Sequence, residues 1–221
     1  MKRIPEPELM DRWEQAQAYA AADFDEPHAM FIERFRTAFP GVEITGRVLD
    51  LGCGPADITI RFARSFAGCS LDAMDADPNM LALGQAAITG AGLNERVQLV
   101  QGRLPDWKPT RCGFDTIISN SLLHHLSDPM ALWQAVREFS RYGTRAFIMD
   151  LKRPASPEAA RALVHRYAAG EPEVLQTDFY HSLCAGYRVG EVRDQLSQAG
   201  LGQLVIQEPS DRHWIVAGVV S

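Results

Sequence analysis

The chain has 221 residues, 46% of them hydrophobic and 23% charged, with a formal net charge of −6. That size suits one sizeable domain with ample core material. The acidic balance argues against a nucleic-acid footprint, which needs a basic face. The four cysteines, Cys53, Cys69, Cys112 and Cys184, contain no C-x-x-C pair, so neither a disulfide framework nor a metal centre is expected.

Lys2 and Arg3 are followed by Glu6, Glu8 and Asp11 where a signal peptide needs an apolar run. No stretch of about 18 apolar residues is present to insert into a bilayer. A cytoplasmic location is the expectation.

Residues 6–22 read as a helix with Leu9, Trp13, Ala16 and Ala20 along one face. A second helix is expected over 28–39, where Phe31, Phe35 and Phe39 recur at spacing four before Pro40-Gly41. Trp13, Phe31 and Phe35 are expected in the core. Strand and helix signals then alternate: strand 47–51, helix 56–67, strand 70–74, helix 78–89, strand 97–101, strand 114–119, helix 128–141 and strand 144–150. The strands are apolar nearly throughout, the pattern of a sheet covered on both faces. Such alternation implies a parallel sheet with right-handed crossovers.

Beyond Asp150 the pattern changes. Residues 156–169 read as a helix broken by Gly170-Glu171-Pro172, and 173–188 form an aromatic and polar stretch without a helix assignment. A helix over 189–199 precedes strands 203–208 and 212–219, whose short link implies an antiparallel hairpin. The expected architecture is an α/β three-layer Rossmann-like sandwich. Its seven-stranded sheet is mostly parallel with an antiparallel last strand, and a helical cap is added. No repeat or linker divides it: cap helices span 1–45, a cofactor-binding core 46–150, a cap insertion and helix 151–200, and the hairpin 201–221.

The core carries the chemistry. VLDLGCGPAD at 48–57 runs an apolar strand into Gly52 and Gly54, which let the backbone turn sharply and approach a ligand. Asp75 ends the next strand 25 residues after Asp50, near the spacing at which an acid binds a ribose diol. Asp57 and Asp77 are expected to cap the helices that follow them, and Cys53 to fill the turn.

With MDADPNML at 74–81 and FDTIISNSLLHHL at 114–126, the chain resembles the class I S-adenosylmethionine-dependent methyltransferases. It is most similar to the small-molecule branch that includes the ubiquinone and menaquinone enzymes. The resemblance runs from about residue 46 to 150. It implies S-adenosylmethionine as cofactor, S-adenosylhomocysteine as product, and a small-molecule methyl acceptor, with a homodimer possible. Gly52, Cys53 and Gly54 would face the amino-acid part of the cofactor, with Asp50 near its ammonium. Asp75 would accept from both ribose hydroxyls, Ala76 and Met80 would flank the adenine, and Asn120, followed by Ser121, would meet the methionyl end.

Two positions depart from the family pattern. Ala56 stands where a third glycine is usual, and Arg103 stands where an acid often bonds the adenine amino group. Arg103 accepts no hydrogen bond, so adenine would rely on backbone at Arg103 and Leu104 or on stacking of the guanidinium.

Methyl transfer is an in-line displacement, and a base is needed only when the nucleophile must lose a proton. His124 and His125, just beyond Asn120, are candidate bases, and a structural role for His125 is the competing reading. Tyr19, Phe24, Tyr180, His181 and Arg153 are candidates to cover the acceptor, and Tyr19 is also a catalytic candidate. Asp150 at the end of the fifth strand could contact substrate or hold a salt bridge between cap and sheet. A nicotinamide oxidoreductase, a non-catalytic cofactor-binding or regulatory protein, and a macromolecule methyltransferase are the alternative functions.

Overall fold

The computed structural model describes residues 1–6, 13–22 and 24–221. Among the described residues, sixteen regular segments build one sheet with helices on both faces. In chain order, helices α1 (Trp13–Ala21) and α2 (Asp25–Ala38) precede β1 (Gly46–Leu51), α3 (Asp57–Ser65), β2 (Cys69–Asp75), α4 (Pro78–Gly90), β3 (Val97–Gln101) and β4 (Phe114–Asn120). A single 3-10 turn, Leu123–His125, leads to α5 (Met130–Phe139), β5 (Ser140–Leu151), α6 (Pro157–Ala168), α7 (Glu173–Ala185), α8 (Val189–Gln198), β6 (Val205–Gln207) and β7 (His213–Val219).

The strand order is β3-β2-β1-β4-β5-β7-β6. The first five strands are parallel, and β7 lies antiparallel between β5 and β6. The order reverses between β1 and β4, so their following loops diverge to opposite faces and leave a crevice at their carboxyl ends, where open α/β sheets bind ligands.

Side chains alternate across β1. Val48 joins Phe31, Phe35, Phe62, Ile88, Phe147 and Met149 on one face, while Leu49 and Leu51 join Trp133, Val136, Phe139, Val192 and Trp214 on the other. Phe35 sits between Phe62 at 4.8 Å and Phe147 at 5.4 Å, both edge-on, which locks α2 against α3 and the sheet. Truncating such a ring to alanine costs about 3–5 kcal/mol. Trp133 donates to Gln195 at 2.9 Å and so couples α5 to α8 in the second layer.

Several expectations change. The helix expected over 6–22 is described only from Trp13, because Leu9 lies outside the described residues and Glu6 is not helical. Trp13 is 41% exposed rather than a core residue. Residues 173–188 contain α7, whose Leu175, Asp178, Phe179 and Ser182 share one face at helical spacing. Asp77 accepts the Asn79 amide at 2.8 Å and caps α4 as expected. Asp57 does not cap α3: the cap position is Ala56, in a left-handed conformation with φ 67° and no side-chain hydrogen bond.

Candidate active site

Each loop at the carboxyl edge has a local reason for its path. Gly52 and Gly54 adopt φ of 74° and 52°, the left-handed region that costs other residues about 1–2 kcal/mol. A Cβ on Gly52 would lie 2.8 Å from the Leu122 side chain, whereas one on Gly54 would meet nothing within 4 Å. Gly52 is therefore required by packing, and Gly54 faces open space. Asp75 anchors this turn by accepting the Gly54 amide at 2.8 Å and the Asp77 amide at 2.9 Å. Burial pushes its carboxyl up from the ordinary range, against the pull of those amides.

A cavity of about 240 Å³ lies over these loops. It gathers Asp50, Gly52, Cys53, Gly54, Asp75, Ala76, Met80, Arg103, Leu104, Asn120 and Ser121 from four separate loops, together with Tyr19, Phe24 and His125. Asp50 accepts the Thr59 hydroxyl at 2.6 Å, yet burial drives its carboxyl up to about 7. Asn120 Oδ1 is buried without a donor among the described residues, an acceptor available to a ligand group.

Asp57, on the cavity wall, bonds His28 at 2.5 Å and Arg61 at 2.6 Å. Burial opposes its charge, but those two partners prevail and hold its carboxyl below the usual range. Neither His28 nor Asp57 stood out in the sequence as a pair, since each needs the other across α2 and α3.

An adjoining cavity of about 490 Å³ shares Tyr19, Phe24, His28, Asn120, Ser121 and His125 with the first. Its far wall comes from α6, α7 and the β6–β7 link, through Tyr167, Phe179, Ser182, Arg212 and His213. Arg212 is buried, with its guanidinium 3.5 Å from the Tyr167 ring centre and 3.3 Å from Glu26. Burial and the Arg212 charge push His213 down to about 3, so it is neutral. Tyr19 stands at the junction of the two cavities. Burial, reinforced by Asp75 and Asp57, pushes its phenol up to about 12, so it remains a donor.

The histidine pair separates into two settings. His124 is 2% exposed and bonds Asp150 at 2.5 Å, while Asp150 also accepts the Leu123 amide. Burial disfavours the imidazolium, but Asp150 and Glu6 outweigh that and raise His124. Asp150 is thus a buried partner of His124 on the turn after β4, not of a cap residue. His125 lines both cavities and lies 3.1 Å from Glu6.

Three cap candidates fall outside both cavities. Arg153 is buried against Glu191 at 2.6 Å and the Gly186 carbonyl at 2.9 Å, tying β5 to α8. Tyr180 and His181 point away from the α7 face that lines the larger cavity; Phe179, Asp178 and Ser182 occupy that face instead. Sequence reasoning placed Phe179 among the aromatic residues of the cap but missed Glu6, Arg212 and His213. The i, i+3, i+4 spacing of Leu175, Asp178 and Phe179 was the available signal for α7.

Comparison with known proteins agrees with this geometry. Residues 48–145 match the family model described as a methyltransferase domain. The chain is 35% identical over 96 residues to trans-aconitate 2-methyltransferase of Mycobacterium tuberculosis, covering 42% of this chain and 33% of that protein. It is 27% identical over 145 residues to the ubiquinone biosynthesis O-methyltransferase of Xanthomonas euvesicatoria, covering 64% of this chain and 59% of that protein. The chain therefore spans about a third to three fifths of these relatives. A methyltransferase structure from Aquifex aeolicus superposes with a TM-score of 0.69 at 15% identity, covering 94% of this chain and 98% of that one. Residues 48–145 are thus similar to a methyltransferase domain, and the chain shares the fold of the superposed S-adenosylmethionine-dependent methyltransferase.

The smaller cavity suits that cofactor. A carboxylate with spare acceptor capacity at Asp75, open space over Gly54 and the unpaired Asn120 acceptor match a ligand bearing hydroxyls and an ammonium.

Proposed function

We propose that the chain transfers a methyl group from S-adenosylmethionine, held in the smaller cavity, to an oxygen of a small molecule in the larger one. The observation that carries this reading is the shared wall. Tyr19, Phe24, Asn120, Ser121 and His125 border both spaces, so donor and acceptor meet there. A volume of about 490 Å³ lies within the roughly 300–1,000 Å³ of small-molecule sites. The O-methyltransferase relative supports oxygen as the nucleophilic atom.

When bound, the cofactor supplies an activated methyl on a sulfonium, and the protein's work is alignment and exclusion of water. Asp75 takes the ribose hydroxyls, the Gly52–Gly54 backbone and Asp50 take the amino-acid end, and Met80 and Ala76 flank the adenine. Asn120 orients the methionyl end at the junction. Tyr19 and Phe24, whose rings lie 4.8 Å apart, cover the methyl and shield it from solvent. The methyl would pass in line to an acceptor oxygen aligned against it at the shared wall of Tyr19, Phe24 and Asn120, with sulfur as the leaving group. His125 is placed to receive the hydroxyl proton where the acceptor carries one.

A nicotinamide oxidoreductase conflicts with the sheet, whose antiparallel β7 lies between β5 and β6 instead of a sixth parallel strand. Among the described residues no helix is long and apolar enough to cross a membrane. We place the enzyme in the cytoplasm, in keeping with its acidic charge.

The test is incubation with S-adenosylmethionine carrying a labelled methyl group and a panel of hydroxylated aromatics and polycarboxylates. Label should appear on an oxygen of one class and fall sharply in Tyr19→Ala. Label confined to nitrogen or carbon acceptors would overturn the oxygen assignment.

A further inference from the structure

The first six residues run as a strap along the end of α7 and the 3-10 turn. Ile4 donates its amide to Cys184 O at 3.1 Å, and the Arg3 guanidinium donates to the carbonyls of Ala185 and His124. These contacts deliver the Glu6 side chain, 9% exposed, between α7 and the 3-10 turn. There Glu6 Oε1 lies 3.4 Å from His124 Nε2 and 3.1 Å from His125 Nδ1, and the three ligand atoms all lie within 4.8 Å of one another.

Two nitrogens and one carboxylate oxygen at these separations form a metal-ligand set. Atoms held about 2.0–2.1 Å from a zinc-like cation lie roughly 3–3.5 Å apart. Their outer partners are also those of a metal centre. Asp150 fixes His124 through Nδ1 at 2.5 Å, which turns Nε2 toward Glu6, the carboxylate–histidine arrangement that orients metal-bound imidazole. Ser182 donates to Glu6 at 3.0 Å and positions its carboxylate. With neutral imidazoles, Glu6 and Asp150 give the site a charge of about −2, opposed mainly by Arg3. His124, His125 and Ser182 all line the larger cavity, so an ion held by this set would stand at its wall.

We propose that Glu6, His124 and His125 bind a divalent first-row transition metal at the wall of the acceptor cavity. Two imidazoles and one carboxylate suit zinc, iron(II) or manganese(II). Resting on the methyl-transfer reading above, the ion would hold the acceptor oxygen and ease loss of its proton to solvent. The oxygen lone pair then forms the new bond to carbon, and sulfur keeps the pair from the bond that breaks. His125 in that case acts as a metal ligand instead of a base.

The test uses tag-free protein stripped by a chelator and titrated separately with zinc, manganese(II) and anaerobic iron(II) by calorimetry. One equivalent of at least one ion should bind and raise the melting temperature. Glu6→Gln and His125→Gln should each weaken it tenfold or more, and Asp150→Asn about 10–100-fold. The melting temperature of each variant without metal, against that of the stripped wild type, checks that it is folded, and the S-adenosylmethionine affinity of Glu6→Gln, measured without metal, tests the cofactor site on its own. Absence of saturable binding by all three ions overturns the proposal. Stoichiometric binding unchanged in both Gln variants overturns it too.

Discussion

Asp75 accepts the Gly54 amide at 2.8 Å, so the acid that closes β2 also holds the glycine turn that follows β1. A carboxylate has about four acceptor directions, and the Gly54 and Asp77 amides use two of them. Asp75 also lines the smaller cavity, so its remaining capacity is available to a ligand there.

The two glycines of that turn should separate when replaced. Gly54→Ala adds a methyl where no atom lies within 4 Å, so its stability cost is the left-handed backbone term, about 1–2 kcal/mol. The methyl would project where the cofactor binds, and affinity should fall at least tenfold. Gly52→Ala would press against Leu122 and should lose roughly 1–3 kcal/mol more through overpacking. Urea denaturation and cofactor titration of both variants check this; intact affinity in Gly54→Ala would place the cofactor elsewhere.

Asp50 should release a proton when the cofactor binds. Burial holds its carboxyl near 7, so at pH 7 it is about half protonated. A ligand ammonium beside it favours the carboxylate. Calorimetry in buffers of different ionisation enthalpy should show release of about half a proton at pH 7, fading by pH 9 and absent in Asp50→Asn. A buffer-independent heat would separate Asp50 from the ammonium.

His213 makes stability depend on acid. Its folded pKa is about 3 and its unfolded value about 6.5, so below pH 6.5 the unfolded chain binds more protons and stability falls as pH drops toward 3. Between pH 7 and 5 the loss from this group is on the order of 2 kcal/mol. Asp50, with its raised pKa, works in the opposite direction over the same window, so the informative quantity is the difference from His213→Gln. Urea midpoints should converge as pH falls from 7 to 5; a constant gap would contradict the buried neutral assignment.

Much of the core was legible because its strands are continuous apolar runs punctuated by Gly, Pro and Asp. That is why β1, β2 and β4, and with them Asp50, Asp75 and Asn120, could be placed on one edge from the sequence. The cap was harder. α7 turns two polar residues, Asp178 and Ser182, toward a cavity, so its inner face carries no continuous apolar stripe. Glu6 is one acid in a polar N-terminal stretch, and its pairing with His124 exists only once the strap crosses α7. Arg153 looked like a pocket residue because it follows β5, but the next turn carries it toward α8.

That placement of Arg153 is itself testable. Its side chain is 3% exposed and bonds Glu191 and the Gly186 carbonyl. Arg153→Ala should cost about 1.5–3 kcal/mol, the scale of hydrogen bonds to a charged group, and leave cofactor affinity unchanged. A cofactor affinity lowered tenfold with little change in the urea midpoint would return Arg153 to the site.

Calorimetric titration of the wild-type chain and Asp75→Asn with S-adenosylmethionine and S-adenosylhomocysteine tests the cofactor site most directly. Both ligands should bind the wild type one to one. The substitution should weaken each by about 1.5–3 kcal/mol, roughly tenfold to a hundredfold, because an amide is a poorer acceptor for the ribose and faces backbone donors with its own N–H. Absence of saturable binding to the wild type, or equal affinity in Asp75→Asn, would contradict it.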